Sequence, residues 1–259
     1  AIGSLLEQPP LPKQAVRPAA IAAKSYRPII VIAPGHGGKD SGAKKNGIVE
    51  KEVVLAFAKV LRDRLEATGR YKVLMTRDTD KFISLDGRRA YAERMGAELF
   101  IAVHADYAKS NASGATVYSL RQKVAKRLMR KAKHKASSNF SDGRFKANSK
   151  SDKRAVKAIL GDLFDREIKR TNIRTDVVSR SLVKFMGGAT NLRKNPHKEA
   201  AFRVLKTAHF PSVLVELAYV TNKSDARQLK SAAWRGKVSD AMVEAVDRYF
   251  NTQVARLPL

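Results

Sequence analysis

At residues 29–38 the chain has the sequence IIVIAPGHGG, in which an apolar run is followed by a histidine between glycines. Its first five residues are β-branched or small and apolar, and the run has the length of one buried strand. Pro34 and Gly35 end the strand, and the glycines on both sides leave the His36 imidazole accessible. The stretch therefore predicts a buried β-strand whose carboxyl end carries an exposed histidine.

Strands and helices alternate from this point along the first half of the chain. An amphipathic helical pattern begins at Glu50 and ends at Gly69, and a second one runs from Leu85 to Met95. Apolar runs of strand length lie between and after them, at 73–76 and 99–103. This alternation indicates βαβ units, so we expect an α/β fold: a mostly parallel twisted sheet flanked by helices.

The second half of the chain is less regular and carries a helical insertion. The patterns predict a strand at 115–120, a basic helix at 121–136, a loop at 139–152, a helix at 155–181, short strands at 202–205 and 212–215, and a helix at 224–250. Residues 1–27 are rich in proline and alanine and are expected to form a linker, following a segment that has been removed. Residues 251–259 are expected to form a C-terminal tail.

Composition narrows the classes of function. The chain has no cysteine, so any metal must be held by histidine and carboxylate side chains. No apolar run approaches the roughly 20 residues that cross a bilayer. The net charge is +27, and residues 107–141 contain no acidic side chain. Such a block favours an anionic polymer or surface as partner, or a solvated insertion. Nucleic acid is disfavoured, because the basic stretch from Lys109 to Lys135 offers only Tyr118 for base stacking.

Four side chains form the candidate site: His36, Glu50, His104 and Glu216. Three of them directly follow apolar runs, and the carboxyl ends of parallel strands meet at one edge of a sheet. Two imidazoles and two carboxylates at one edge can build a catalytic zinc site, which uses three nitrogen or oxygen ligands. Glu50 would also be favoured at a helix N-terminus without any metal, but its position beside two strand-end histidines favours the ligand role.

Two carboxylates near this edge have alternative roles. Asp106, two residues after His104, could orient a ligand imidazole or approach the metal itself. Glu216 lies in an apolar segment, where an unpaired charge is costly. It could act as general base and acid beside a metal, or form a buried ion pair with Arg77 or Arg203. Delivery of Glu216 to the same edge as the histidines favours catalysis. His134, His197 and His209 lack this placement and are interpreted as structural.

Five ordered segments resemble one family. They are IAPGHGGKDSGA (32–43), VEKEVVL (49–55), MTRDTD (75–80), LFIAVHAD (99–106) and PSVLVELAYVTN (211–222), and they resemble zinc-dependent N-acetylmuramoyl-L-alanine amidases of the cell-separation type. The resemblance implies that His36, Glu50 and His104 bind one zinc ion and that Glu216 is the catalytic carboxylate. It also implies a catalytic domain at 28–250, cleavage between N-acetylmuramic acid and L-alanine of peptidoglycan, and a monomeric periplasmic enzyme.

The same resemblance implies regulation by the insertion at 119–170. Septal members of the family carry a helical segment at this place, which covers the zinc cleft until a partner with a LytM-type domain displaces it. Their inhibitory helix presents an acidic side chain to the metal, whereas residues 121–141 of this chain contain none. Two other functions stay open from sequence: a zinc carboxy- or aminopeptidase on a similar scaffold, and a non-catalytic module that binds polyanions or cell wall.

Overall fold

The computed structural model describes residues 26–108, 112–128, 130, 150–207 and 209–252. Its main element is a six-stranded sheet. The strands are β1 (Ile29–Pro34), β4 (Lys72–Met75), β5 (Leu99–Asp106), β6 (Ala115–Leu120), β7 (Leu192–Ala200) and β8 (Ser212–Tyr219). Their order across the sheet is β4-β1-β5-β8-β6-β7. β1 pairs in parallel with β4 and β5, and β5 pairs in parallel with β8. β6 pairs with β8 in the antiparallel direction and with β7 in the parallel direction.

Helices cover both faces of this sheet. They are α1 (Glu50–Ala67), α2 (Leu85–Arg94), α3 (Lys150–Met186), α4 (Lys223–Lys230) and α5 (Ala232–Phe250). The larger core packs α1, α3 and α5 against one face of the sheet, and the smaller core packs α2 and a 3-10 turn (Arg203–Leu205) against the other. The predicted α/β fold, a mostly parallel sheet flanked by helices, is therefore confirmed.

Local sequence explains where the first two helices begin and end. Glu50 and Glu52 lie in the first turn of α1, where carboxylates complement the helix dipole. Gly69 follows α1 with a φ of 69°, which is the left-handed conformation that commonly ends a helix. α2 begins after Ser84, whose hydroxyl accepts a hydrogen bond from the Gly87 amide at 3.1 Å.

Two predicted elements are wrong. Residues 203–205 form the 3-10 turn rather than a strand, because Val204 and Leu205 are buried by packing on the face of the sheet without any strand partner. The helix predicted at 224–250 is divided at Ser231, which ends α4 and caps α5 by accepting a hydrogen bond from the Trp234 amide at 3.2 Å.

Other differences concern elements that the sequence patterns missed or bounded differently. β7 lies at the sheet edge and carries polar residues and Pro196, which edge strands tolerate. A small hairpin joins β2 (Lys44–Lys45) to β3 (Ile48–Val49) through the positive-φ residues Asn46 and Gly47.

The middle of the chain is described only in part. The helix predicted at 155–181 lies within α3, which begins at Lys150 and so includes the end of the predicted loop. Residues 122–128 of the predicted basic helix are helical. Arg121, the first residue of that prediction, is not helical, and Arg130 is. The rest of the predicted helix, the start of the loop, and most of the predicted linker and C-terminal tail lie outside the described residues. In the part of the chain that the structure covers, no helix is long and apolar enough to cross a membrane.

Asp225 ties three parts of the fold together. Its carboxylate is 1% exposed and accepts hydrogen bonds from the Ser113 hydroxyl at 2.7 Å and from the amides of Gly114 and Tyr219, each at 2.9 Å. The carboxylate therefore joins α4 to the end of β8 and to the loop before β6. Buried amides that lose an acceptor retain the full cost of their desolvation.

We expect Asp225→Ala to lower the free energy of unfolding by at least about 1–3 kcal/mol, because it leaves the Gly114 and Tyr219 amides without their acceptor. Denaturant titration measures this loss. Asp240→Ala is the control, since Asp240 is half exposed and makes only a 3.4 Å ion pair with Arg64, a kind of contact that contributes about 0–1 kcal/mol. Equal midpoints for the two variants would contradict this role of Asp225.

Candidate active site

The four predicted site residues meet at the carboxyl edge of the parallel strands. His36 lies two residues after the end of β1, and His104 lies near the end of β5. Glu216 lies on the neighbouring strand β8, in register with His104. Glu50 is the first residue of α1. The structure thus brings together all four residues, although β5 and β8 extend past the predicted strand ends and include His104 and Glu216.

Three of these side chains converge on one point. Glu50 Oε1 lies 3.0 Å from His36 Nε2 and 3.0 Å from His104 Nδ1. One ligand atom from each residue lies within 4.8 Å of the others. Two imidazole nitrogens and a carboxylate oxygen at this spacing form a group that could hold a metal ion.

The electrostatics of the group keep Glu50 ionised. Burial opposes ionisation, but hydrogen bonds with His104 and His36 outweigh it and hold the pKa of Glu50 well below its usual range. The amides of Ala43 and Ala105 add hydrogen bonds of 2.9 and 3.2 Å to the same carboxylate. Burial lowers the pKa of His36, yet Glu50 and Asp40 raise it above the ordinary value. The group is therefore arranged for a positive charge beside a fixed carboxylate.

Two glycines make room for this arrangement. A Cβ on Gly35 would lie 2.3 Å from His104 Cε1, and a Cβ on Gly42 would lie 2.6 Å from both Glu50 Oε2 and His36 Cδ2. Such distances are far shorter than a van der Waals contact. The imidazoles and the carboxylate can therefore approach each other only because these two backbone positions carry no side chain.

Two buried arginines hold the loop that carries His36, which itself has a φ of 56°. The Arg77 guanidinium donates to the carbonyl oxygens of Pro34 at 3.2 Å, Gly35 at 2.6 Å and Lys51 at 2.8 Å. The Arg88 guanidinium donates to the carbonyl oxygens of Pro34, Ile83 and His36. The two guanidinium groups thus hold the main chain of this loop, and with it the position of His36.

Asp40, which the sequence did not indicate, is the carboxylate that orients a histidine. Its Oδ2 lies 2.9 Å from His36 Nδ1, and its Oδ1 accepts a hydrogen bond from the Gly42 amide at 3.0 Å. The four-residue spacing within PGHGGKD is the one signal that could have identified it. Asp106 instead accepts a hydrogen bond from the Tyr107 amide at 2.7 Å, and it is not part of the three-residue group.

Glu216 has no ionic partner in the described residues. Its side chain is 7% exposed, and its Oε2 lacks a hydrogen-bond partner there. Burial, with the negative charges of Asp106 and Glu50, raises the pKa of Glu216 well above its usual value. The alternative of a buried ion pair is wrong, because Arg77 donates to carbonyl oxygens and Arg203 pairs with Asp86.

A cavity of about 450 Å³ joins these groups. Glu216, His36 and His104 line it, together with Asp40 and Arg88. The other histidines have different surroundings: His197 lies 3.0 Å from the Ser119 hydroxyl, His209 lies 3.4 Å from Glu167, and His134 lies outside the described residues. The cavity therefore places a candidate metal group beside a carboxyl that has no ionic partner in the described residues.

Comparison with known proteins identifies the family. Residues 30–248 match the family model Amidase_3, described as N-acetylmuramoyl-L-alanine amidase. The chain belongs to this family.

Curated relatives agree with this assignment. The chain is 35% identical over 227 residues to N-acetylmuramoyl-L-alanine amidase AmiC of Escherichia coli O6:H1. The aligned region covers 86% of this chain and 53% of AmiC. It is also 35% identical over 231 residues to AmiA of Escherichia coli K12, covering 86% of this chain and 76% of that protein. The chain thus spans about half the length of the AmiC relative.

Solved structures share the fold. AmiC2 of Nostoc punctiforme, an N-acetylmuramoyl-L-alanine amidase, superposes with a TM-score of 0.60 at 25% identity, covering 87% of this chain and 98% of that one. An N-acetylmuramoyl-L-alanine amidase from Clostridium difficile 630 gives a TM-score of 0.64 at 18% identity, covering 88% and 98%.

Proposed function

We propose that this chain is a zinc-dependent N-acetylmuramoyl-L-alanine amidase, which hydrolyses the amide between N-acetylmuramic acid and L-alanine in peptidoglycan. One observation carries the proposal. In a chain of this family, His36, Glu50 and His104 converge beside the unpaired carboxyl of Glu216, and all of them except Glu50 line the same cavity. This combination supports hydrolysis rather than passive binding of an anionic polymer.

The three converging residues suit one zinc ion. Catalytic zinc is held by three nitrogen or oxygen ligands and keeps a further position open, and the group supplies two imidazoles and a carboxylate. Asp40 at His36 Nδ1 provides the kind of outer partner that fixes the orientation of a metal-binding imidazole. Glu50 is held ionised, as a ligand must be.

Glu216 is proposed to move the proton during hydrolysis. When bound, zinc supplies a Lewis acid that polarises the scissile carbonyl and makes water more acidic. Glu216 takes a proton from the attacking water and returns it to the departing alanine nitrogen. Burial raises the pKa of Glu216 above its usual value, which favours uptake of a proton.

We further propose that the protein acts in the periplasm, during cell separation. The intended substrate is intact peptidoglycan, which lies outside the cytoplasmic membrane. The high positive net charge of +27 favours attraction to an anionic wall or membrane surface. Products with a free alanine amino terminus, released from intact peptidoglycan, would distinguish the amidase from a zinc peptidase.

Residues 119–170 are proposed to form a regulatory insertion that a LytM-domain partner acts upon. The two ends of this segment lie side by side, because Ser119, Leu120 and Gln122 line the same cavity as Thr171, Asn172 and Ile173. A segment whose ends meet can be added to a fold without disturbing its sheet. No described residue of the segment lines the cavity that contains Glu216.

The metal assignment is tested with His36→Ala and His104→Ala. We expect both variants to remain folded and to lose zinc, because each removes one of three ligands. Elemental analysis after dialysis against a weak chelator gives the zinc content. His197→Ala is the matched control, since His197 lies outside the group, and it should retain the metal. Full zinc occupancy in both site variants would refute the assignment.

Replacement of Glu216 by glutamine tests its catalytic role. Glu216→Gln keeps the size of the side chain but cannot shuttle a proton, so hydrolysis should slow by roughly 10²–10⁴-fold. Zinc content should stay parental, and the melting temperature should stay equal or rise, because no cation loses a partner and a buried ionisable group is removed. Peptidoglycan digestion and calorimetry on one preparation measure these quantities.

Glu244→Gln, on the exposed face of α5, is the control for Glu216→Gln and should behave as the parent does. Parental turnover by the Glu216 variant would assign proton transfer to another group.

Deletion of residues 123–169, closed with a short Gly-Ser linker, tests the regulatory insertion. The deletion variant should release dye from labelled peptidoglycan faster than the parent, because the restraint is gone while β6 and the second half of α3 are kept. The same deletion carrying Glu216→Gln should be inactive, which shows that release depends on the same site. An unchanged or slower rate from a folded, zinc-loaded deletion variant would contradict restraint by this segment.

A further inference from the structure

Three exposed apolar side chains form a shelf at the mouth of the site cavity. They are Phe82, Leu85 and Phe202, which are 45%, 44% and 37% exposed, and all three line the cavity that contains Glu216. Phe82 and Leu85 come from the start of α2 and the loop before it, whereas Phe202 precedes the 3-10 turn. Isolated apolar side chains are common on surfaces, but a group of them at a cavity indicates a binding surface.

The shelf is held in place by its neighbours. The Phe202 ring packs edge-on against Tyr118, with centroids 5.2 Å apart and an angle of 76° between the planes. Leu85 is the first residue of α2, whose N-terminus is capped by Ser84. The Phe82 amide lies against Gly38, where a Cβ would approach it to 2.9 Å. Because these positions are fixed before a ligand arrives, binding would cost little ordering of side chains.

The shelf suits an uncharged ligand group. Among the charged side chains that line this cavity in the described residues, Arg203 pairs with Asp86, Asp40 contacts His36, and Arg88 donates to carbonyl oxygens. The exposed Lys39 ammonium lies 5.3 Å from the centroid of the Phe82 ring, so one cation contacts the shelf. The three side chains of the shelf are themselves uncharged and offer aromatic and aliphatic surface.

We propose that this shelf is the saccharide subsite and binds the N-acetylmuramic acid ring next to the scissile amide. The inference rests on the proposed amidase function. Once its carboxyl is part of the amide, the muramoyl group is uncharged, and it presents ring C–H groups and an acetyl methyl to apolar surfaces. The peptide on the other side of the amide carries free carboxylates, which gain nothing from the three apolar side chains. Phe82, Leu85 and Phe202 therefore fix the direction of the substrate across Glu216.

Two substrates separate this role from a general effect on the site. The first is a disaccharide-peptide that contains N-acetylmuramic acid, and the second is the same peptide carrying only a D-lactoyl group in place of the sugar. Both contain the scissile amide and the same peptide, so they differ only in the group assigned to the shelf.

We expect Phe202→Ala and Leu85→Ala each to lower kcat/KM for the disaccharide-peptide by about tenfold, mainly by raising KM. Each substitution removes the apolar side chain that would be buried against the sugar, and a loss of that size weakens binding by about this factor. Their kcat/KM for the lactoyl-peptide should equal that of the parent. Phe202→Tyr keeps the ring and should restore the preference for the disaccharide. Met95→Ala, which removes another partly exposed apolar side chain of 38% exposure outside the cavity, should act as the parent on both substrates. Equal losses on both substrates, or no loss on either, would overturn the proposal.

Binding of N-acetylmuramoyl methylamide tests the shelf without turnover. This uncharged amide should bind the parent, and Phe202→Ala should weaken the binding about tenfold, measured by ligand-observed NMR. Equal binding to both proteins, or none to the parent, would overturn the proposal. If the parent binds the methylamide but hydrolyses neither substrate, the shelf stands and the proposed amidase function fails.

Discussion

The carboxylate of Glu50 is the contact on which the rest of the site depends. It is 4% exposed, and one of its oxygens lies 3.0 Å from both His36 and His104. A buried charge is stable only when it is paired and hydrogen-bonded, and here its partners come from the ends of β1 and β5 and from the amides of Ala43 and Ala105. Glu50 is also the first residue of α1, so the helix dipole favours its charge. A single side chain thus joins the first helix to the edge of the sheet and sets the spacing of the histidines.

Hydrogen bonds from two buried arginines to backbone carbonyl oxygens hold the loop that carries His36. Arg77 and Arg88 are 1% and 3% exposed, and their guanidinium groups end on carbonyl oxygens instead of carboxylates. Burial and the charge of Arg77 lower the pKa of Arg88 to about 10. Arginine suits the task because one planar group donates several hydrogen bonds in a fixed geometry. The left-handed His36 is therefore held by the fold, independently of any ligand.

The sequence predicted the fold class and which four side chains come together, but it did not predict every strand. Apolar runs of strand length, each followed by His36, His104 or Glu216, could be recognised because buried parallel strands and their carboxyl ends leave a local pattern. β7 could not be recognised, because an edge strand with lysines and Pro196 has no such pattern. The apolar residues at 202–205 have another role: Val204 and Leu205 pack on the sheet, and Phe202 lines the cavity. The roles of Arg77, Arg88 and Asp40 depend on contacts that only the folded chain creates.

Glu216 lies where the two directions of the sheet meet. Its strand β8 pairs in parallel with β5, beside His104, and in the antiparallel direction with β6, where Thr116 is its partner. β6 in turn leads directly into the segment at 119–170. The strand at the root of the insertion is thus hydrogen-bonded to the strand that carries the proposed general base.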